Sequence, residues 1–155
     1  MRLRSLFLPL LLLLTLCACT YRPRTAVFTY RALPQDGWDI ADTLLFPVDS
    51  LPADGRYVLH VLLRTDAATR QKSSVSLDVE QAWQLDSTCV QRQRRVRTAL
   101  PPEPHAVPAD IALHADTISL QQGARGHVVV RHATTPRILR GLTHIGMKLE
   151  LAAES

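Results

Sequence analysis

The sequence predicts an all-β protein: a single antiparallel β-sandwich of jelly-roll or immunoglobulin type, with about eight strands behind an export signal. Three observations carry this. Short apolar alternations bounded by Pro, Gly, Asp and Ser recur every ten to twenty residues, whereas a 3.6-residue apolar period is hard to find. The chain has 155 residues with 46% hydrophobic content, enough for one core and too few for two comfortable domains. Charged residues make up only 21%, well short of the composition that keeps a chain unfolded.

The elements follow in order. Residues 1–18 read as an export leader: Arg2 and Arg4 precede an apolar run from Leu6 to Leu16, and small residues follow. The run falls short of the roughly 20 residues a membrane-crossing helix needs. Leu16-Cys17-Ala18-Cys19 resembles the bacterial lipobox, in which Leu stands three before the modified Cys and a small residue directly before it. Cys19 satisfies both conditions, while Cys17 is preceded by the bulky Leu16. The expected mature chain therefore starts at Cys19, with diacylglycerol on the sulfur and an acyl amide on the nitrogen, and no other cofactor. Two or three acyl chains hold a protein on a bilayer where one holds it only marginally.

Residues 19–25 form a tether, and no Asp follows Cys19 directly. In the lipoproteins this resembles, an Asp there retains the protein at the inner membrane, so the expected location is the outer membrane, facing the periplasm. The chain carries 18 basic and 14 acidic side chains, of which Arg2 and Arg4 lie in the leader, so the mature chain holds 16 against 14 and gives little reason to expect nucleic acid. Cys17 leaves with the leader and Cys19 takes lipid, which leaves Cys89 alone, expected as a small packed side chain.

The sandwich is expected over residues 26–152. Val27–Arg31 and Thr43–Val48 open it. Tyr57–Arg64 is apolar on both faces, with Tyr57, Leu59, Val61 and Leu63 on one and Val58, His60, Leu62 and Arg64 on the other, as in a central strand. Val75, Leu77 and Val79 alternate with Ser74, Ser76, Asp78 and Glu80, a strand with one wet face. Ile111–Leu113, Thr117–Gln121 and Gly126–His132 come next. The last strand sends Ile145, Met147, Leu149 and Leu151 inward and His144, Gly146, Lys148 and Glu150 outward. Turns are marked at Pro34–Gly37, Pro52–Gly55 and Gln122–Gly126, and Pro101-Pro102-Glu103-Pro104 with Pro108 reads as a stiff crossover.

Candidate sites are few. Arg92, Arg94, Arg95 and Arg97 lie within six residues, which suits contact with an anionic group or an acidic partner, or equally an edge strand guarded by charge. Trp38 and Trp83 suit either a glycan-stacking platform or plugs at the ends of the core. His127 and His132 lie five apart and so point to opposite faces of a strand, which speaks against a metal site with His144. Asp36, Asp39, Asp42 and Asp49 match no EF-hand spacing, and neither a Gly-x-Ser-x-Gly elbow nor a phosphate-cradling Gly loop occurs.

Several blocks resemble the gliding-motility lipoprotein family GldH of Bacteroidetes. Phe28 and Tyr30 lead into Gly37-Trp38-Asp39-Ile40-Ala41-Asp42 and Phe46; Tyr57–Arg64 is similar to the family's Tyr-started strand; and Gly126–Val130 with Leu139–Glu150 resembles its final hairpin. The chain departs from the family pattern at Thr69–Ser73 and in the Arg run with its Pro-rich loop. The resemblance implies a non-catalytic accessory of an envelope complex, tied to motility and its associated secretion, with other envelope proteins as partners. It carries over no catalytic residue. A glycan- or lipopolysaccharide-binding lipoprotein is the alternative.

Overall fold

A computed structural model describes residues 24–65, 74–100 and 110–153. The expected leader, the expected lipidation site Cys19, residues 20–23 of the expected tether, Thr69–Ser73 and the Pro-rich stretch from Pro101 to Pro108 lie outside the described residues. The strands are β1 (Thr25–Ala32), β2 (Trp38–Asp39), β3 (Leu44–Val48), β4 (Gly55–Thr65), β5 (Ser74–Leu85), β6 (Thr88–Ala99), β7 (Asp110–Leu120), β8 (Arg125–His132), β9 (Ile138–Leu139) and β10 (Leu142–Leu151). All pairings are antiparallel.

Two four-stranded sheets face each other, in the orders β1-β10-β4-β7 and β3-β8-β5-β6, and a short β2-β9 ribbon accompanies them. Consecutive long strands switch between sheets, except for the β5–β6 hairpin, so that each sheet interleaves early and late strands, which is the eight-stranded jelly roll with two extra short strands. The all-β sandwich expected from the alternation is thus the observed fold, with ten strands where about eight were expected. β4 is central, as its two apolar faces require, and β10 has Ile145, Met147 and Leu149 fully buried. Trp38, Phe46, Tyr57, Leu59, Val61, Leu63, Leu77, Trp83 and Val128 share one core with them.

The strand count differs for physical reasons. The expected segments Ile111–Leu113 and Thr117–Gln121 are one strand, β7, interrupted by a bulge where Leu59 pairs with Asp116 but His60 pairs with His114. Ala115 is the extra residue, and the alternation changes phase there. The Arg run lies in β6, a twelve-residue edge strand joined to β5 through the turn at Asp86 and Ser87. β2 and β9 are two residues each, too short for any alternation to show.

The sandwich has two ends. One holds Arg24, the β3–β4 connection, the β5–β6 turn, the β7–β8 turn and Ala152, so the amino-terminal segment enters here. At the other lie the β1–β2–β3 and β8–β9–β10 connections with the ribbon, together with the ends of the strands flanking residues 66–73 and 101–109. Pro47 sits in β3, an edge strand, where a missing N–H costs nothing to the ladder.

Candidate functional site

Two surfaces concentrate polar and aromatic chemistry. The first is the outer face of the β1-β10-β4-β7 sheet. Strand register places Phe28, Lys148, His60 and His114 in one row across the four strands, and Tyr30, Gly146, Leu62 and Ala112 in the next. Phe28 is 58% exposed, a large apolar side chain left on the surface, and its ring meets Tyr30 edge to face at 5.4 Å. The Tyr30 ring packs against Gly146, where an added Cβ would come within 2.5 Å of it, and the Arg64 guanidinium lies over the ring at 4.5 Å. Phe28, Tyr30, His60, Leu62 and Lys148, with Thr25, Asp110 and Glu150, bound a shallow cleft of about 600 Å³.

The polar groups on this face satisfy one another. Arg64 donates from Nε and Nη2 to the two Asp110 carboxylate oxygens at 2.8 and 3.0 Å, and the Tyr30 hydroxyl donates to Asp110 at 2.9 Å. The Arg64 hydrogen bond holds the Asp110 carboxyl below its usual range, and burial pushes the Tyr30 hydroxyl up. His60 Nε2 lies 3.2 Å from Glu150, whose carboxyl is lowered chiefly by its hydrogen bond to Lys148. The rings of His60 and His114 meet edge to face at 6.0 Å. This face joins an exposed aromatic and an apolar floor to paired charges, Lys148 with Glu150 on β10 and Arg64 with Asp110 across β4 and β7.

The second surface is the β6 edge. The four arginines divide by parity. Arg92 and Arg94 turn toward the space between the sheets and share one acceptor: Asp116, only 6% exposed, lies 3.4 Å from Arg92 Nη1 and 3.8 Å from Arg94 Nε. Asp116 also accepts from Gln81 Nε2 at 2.6 Å, and Gln81 Oε1 accepts from Trp83 Nε1 at 2.8 Å. Arg95 and Arg97 turn to the outer face, where Arg95 makes a bidentate pair with Asp78 at 2.6 and 2.8 Å and Arg97 reaches Ser76 Oγ at 3.0 Å. The run does not converge on a single anion cradle.

The structure corrects the stacking reading of the tryptophans and the packed reading of Cys89, and places the remaining candidates. Trp38 and Trp83 are both fully buried, so neither offers a ring face to a sugar; the indoles fill the core, and Trp83 is further tied down by Gln81. Cys89 is exposed rather than packed, because it lies in the first turn-proximal residues of the β6 edge. His127 is exposed on β8, His132 is buried against Trp38 at 5.2 Å with neither ring nitrogen partnered, and His144 stands on the other sheet. Asp49 lies at the opposite end from Asp36, Asp39 and Asp42, and Asp39 is paired with Arg137 at 3.0 Å. The network around Asp116 was not foreseen; its signal in the sequence is an acidic residue at the point where an apolar alternation loses phase.

One pH response follows. A backbone bond from Ala41 lowers the Asp39 carboxyl and a hydrogen bond from Arg95 lowers Asp78, so with Asp110 and Glu150 four carboxylates sit below their ordinary values. Depressed carboxylates contribute stability that is complete above the unfolded-state values and is lost as pH falls through the folded ones. Unfolding free energy is expected to be level from neutrality to about pH 5 and to decline below about pH 4. Asp78→Asn should flatten that decline. Urea titrations at several pH values measure this, and stability rising on acidification would contradict it.

No family model matches the chain, and no curated protein matches it. Among solved structures the chain is similar to an Eiger TNF from S. frugiperda, at 14% identity and a TM-score of 0.34, over 85% of this chain and 97% of that one. A likeness at that level says nothing of function.

Proposed function

We propose that this protein is a bacterial lipoprotein of the outer membrane, facing the periplasm, and that its jelly-roll domain is a non-catalytic accessory that binds another envelope protein. The observation that carries the reading is the Leu16-Cys17-Ala18-Cys19 motif placed six residues before the first strand. Six residues reach about 20 Å at most, so lipid on Cys19 would hold the Arg24 end of the sandwich close to the bilayer and turn the ribbon end away from it. The resemblance to the gliding-motility lipoproteins adds support. Three of its blocks supply β1, β4 and β10, the adjacent strands that carry Phe28, Tyr30, His60, Arg64, Lys148 and Glu150 on one outer face.

The test is direct. With a clickable fatty acid fed to cells, Cys19→Ala should abolish lipid labelling and release the protein from the membrane fraction, while Cys17→Ala should leave the label unchanged. Loss of label in both variants alike, or in neither, refutes the site. Gentle crosslinking of the lipidated protein should recover a defined envelope protein, and Phe28→Ser should diminish that product without unfolding the domain, since Phe28 lies mostly outside the core.

A further inference from the structure

β6 is the outermost strand of its sheet and runs for twelve residues, with its far backbone edge unpaired by any described strand. Its side chains include four arginines and no acid. Arg94 and Arg95 remain 59% and 63% exposed despite their internal partners. Arg92 and Arg94 divide a single carboxylate, and Arg97 meets only a hydroxyl. Counting Arg131, which pairs with Glu80, five guanidinium groups share three carboxylates here, Asp78, Glu80 and Asp116. The edge therefore holds uncompensated positive charge.

Shape decides what could use it. Because the arginines alternate between the two faces of the strand, no compact anion touches all of them. An extended chain laid along the edge does, since its own side chains alternate in the same way. The inner row of β6 reads Val90, Arg92, Arg94, Val96, with both valines half-buried. A second copy of β6 is a poor occupant: two-fold antiparallel pairing centred on the run would set Arg94 beside its own copy, or Arg95 beside its own copy, like charges directly opposite.

We infer that the β6 edge is a docking site for an acidic extended segment of a partner protein, which adds as a further strand and reads apolar, acidic, acidic, apolar at every second residue. This site deepens the protein-binding role proposed above and rests on it, but it does not need the lipid, so the two can fail separately.

The experiment uses full-length protein in detergent and a fluorescein-labelled twelve-residue peptide. The peptide has Val, Glu, Glu and Val at alternate positions, with Thr and Glu between them. Anisotropy should show binding that weakens with salt, and a peptide with Lys for every Glu should not bind. Arg94→Gln with Arg95→Gln should lower affinity about tenfold. Two peptides N-methylated at alternate residues, in opposite parity, separate strand addition from charge while leaving the protein untouched. One should bind and the other should not, because a strand presents its N–H groups alternately to its two edges. Equal binding of both, or no binding of the unmethylated peptide, overturns the proposal. So does arginine-dependent binding of lipopolysaccharide without binding of the peptide, which would make β6 a phosphate surface. If the peptide fails while Cys19 labelling and the crosslinked partner persist, only the strand site falls.

Discussion

Replacing Gly126 by valine is expected to destabilise the domain by about 3 kcal/mol, the upper part of the usual range for forcing atoms into a packed interior. Gly126 lies in β8 between Val48 of β3 and Trp83 of β5. A Cβ there would stand 2.3 Å from the Ala82 carbonyl oxygen and 2.6 Å from the Trp83 ring. The tryptophan is fully buried and hydrogen-bonded to Gln81, so its ring has nowhere to retreat. The oxygen belongs to the neighbouring strand, and moving it means bending β5 away from β8. Gly126→Ala should already cost about 2 kcal/mol, where glycine to alanine at an open strand position is mildly favourable. Urea unfolding measures both. Adding Trp83→Leu should relieve only part of the cost of Gly126→Val, because the backbone clash survives the loss of the ring. Full relief in that double mutant would show that the indole alone sets the constraint.

Much of this architecture was legible in the sequence because jelly-roll strands obey a period of two. The inward set Ile145, Met147 and Leu149 and the outward set His144, Gly146, Lys148 and Glu150 follow from alternation alone, and β10 places them so. β4 declared itself central by being apolar on both faces. Alternation fails wherever the backbone breaks phase. Counted by parity across β7, Asp116 belongs with Asp110, Ala112 and His114 on the outer face; the bulge at Ala115 turns it into the interior instead.

The arginines illustrate a different limit. Their polarity on both faces excluded a core strand, yet nothing local shows that Arg92 and Arg94 find an acceptor from the opposite sheet while Arg95 finds one on its neighbour. Those partners are 17 to 24 residues away. Cys89 and the tryptophans mark a third limit, since burial of a single side chain depends on which strand becomes an edge. The aromatic face is a fourth: Phe28 and Tyr30 were noted only as parts of a resemblance, and register alone sets them beside His60, Leu62 and Lys148.

The bulge leads to the other large effect. Asp116→Ala is expected to cost about 3 kcal/mol, because removing one member of a buried charged network strands the rest. Trp83 donates to Gln81, Gln81 donates to Asp116, and Arg92 and Arg94 approach the same carboxylate from the edge strand of the facing sheet. Alanine would leave the Gln81 amide nitrogen buried without that acceptor and would remove the carboxylate that Arg92 and Arg94 share. It would also release a connection between β6 and β7, the edge strands that border the open flank of the sandwich. Asp116→Asn keeps the shape but removes the charge and turns an amide donor toward donors, so an intermediate loss of about 1–2 kcal/mol is expected. Gln81→Leu should cost less in the Asp116→Ala background than alone, since the amide it removes already lacks an acceptor. A double-mutant cycle read by urea unfolding tests that coupling. Strict additivity would mean that Gln81 and Asp116 act independently despite their 2.6 Å separation. Arg94→Gln, by contrast, leaves Asp116 its partners Gln81 and Arg92, so it should change stability by less than about 1 kcal/mol, which is what lets it report on binding at the β6 edge.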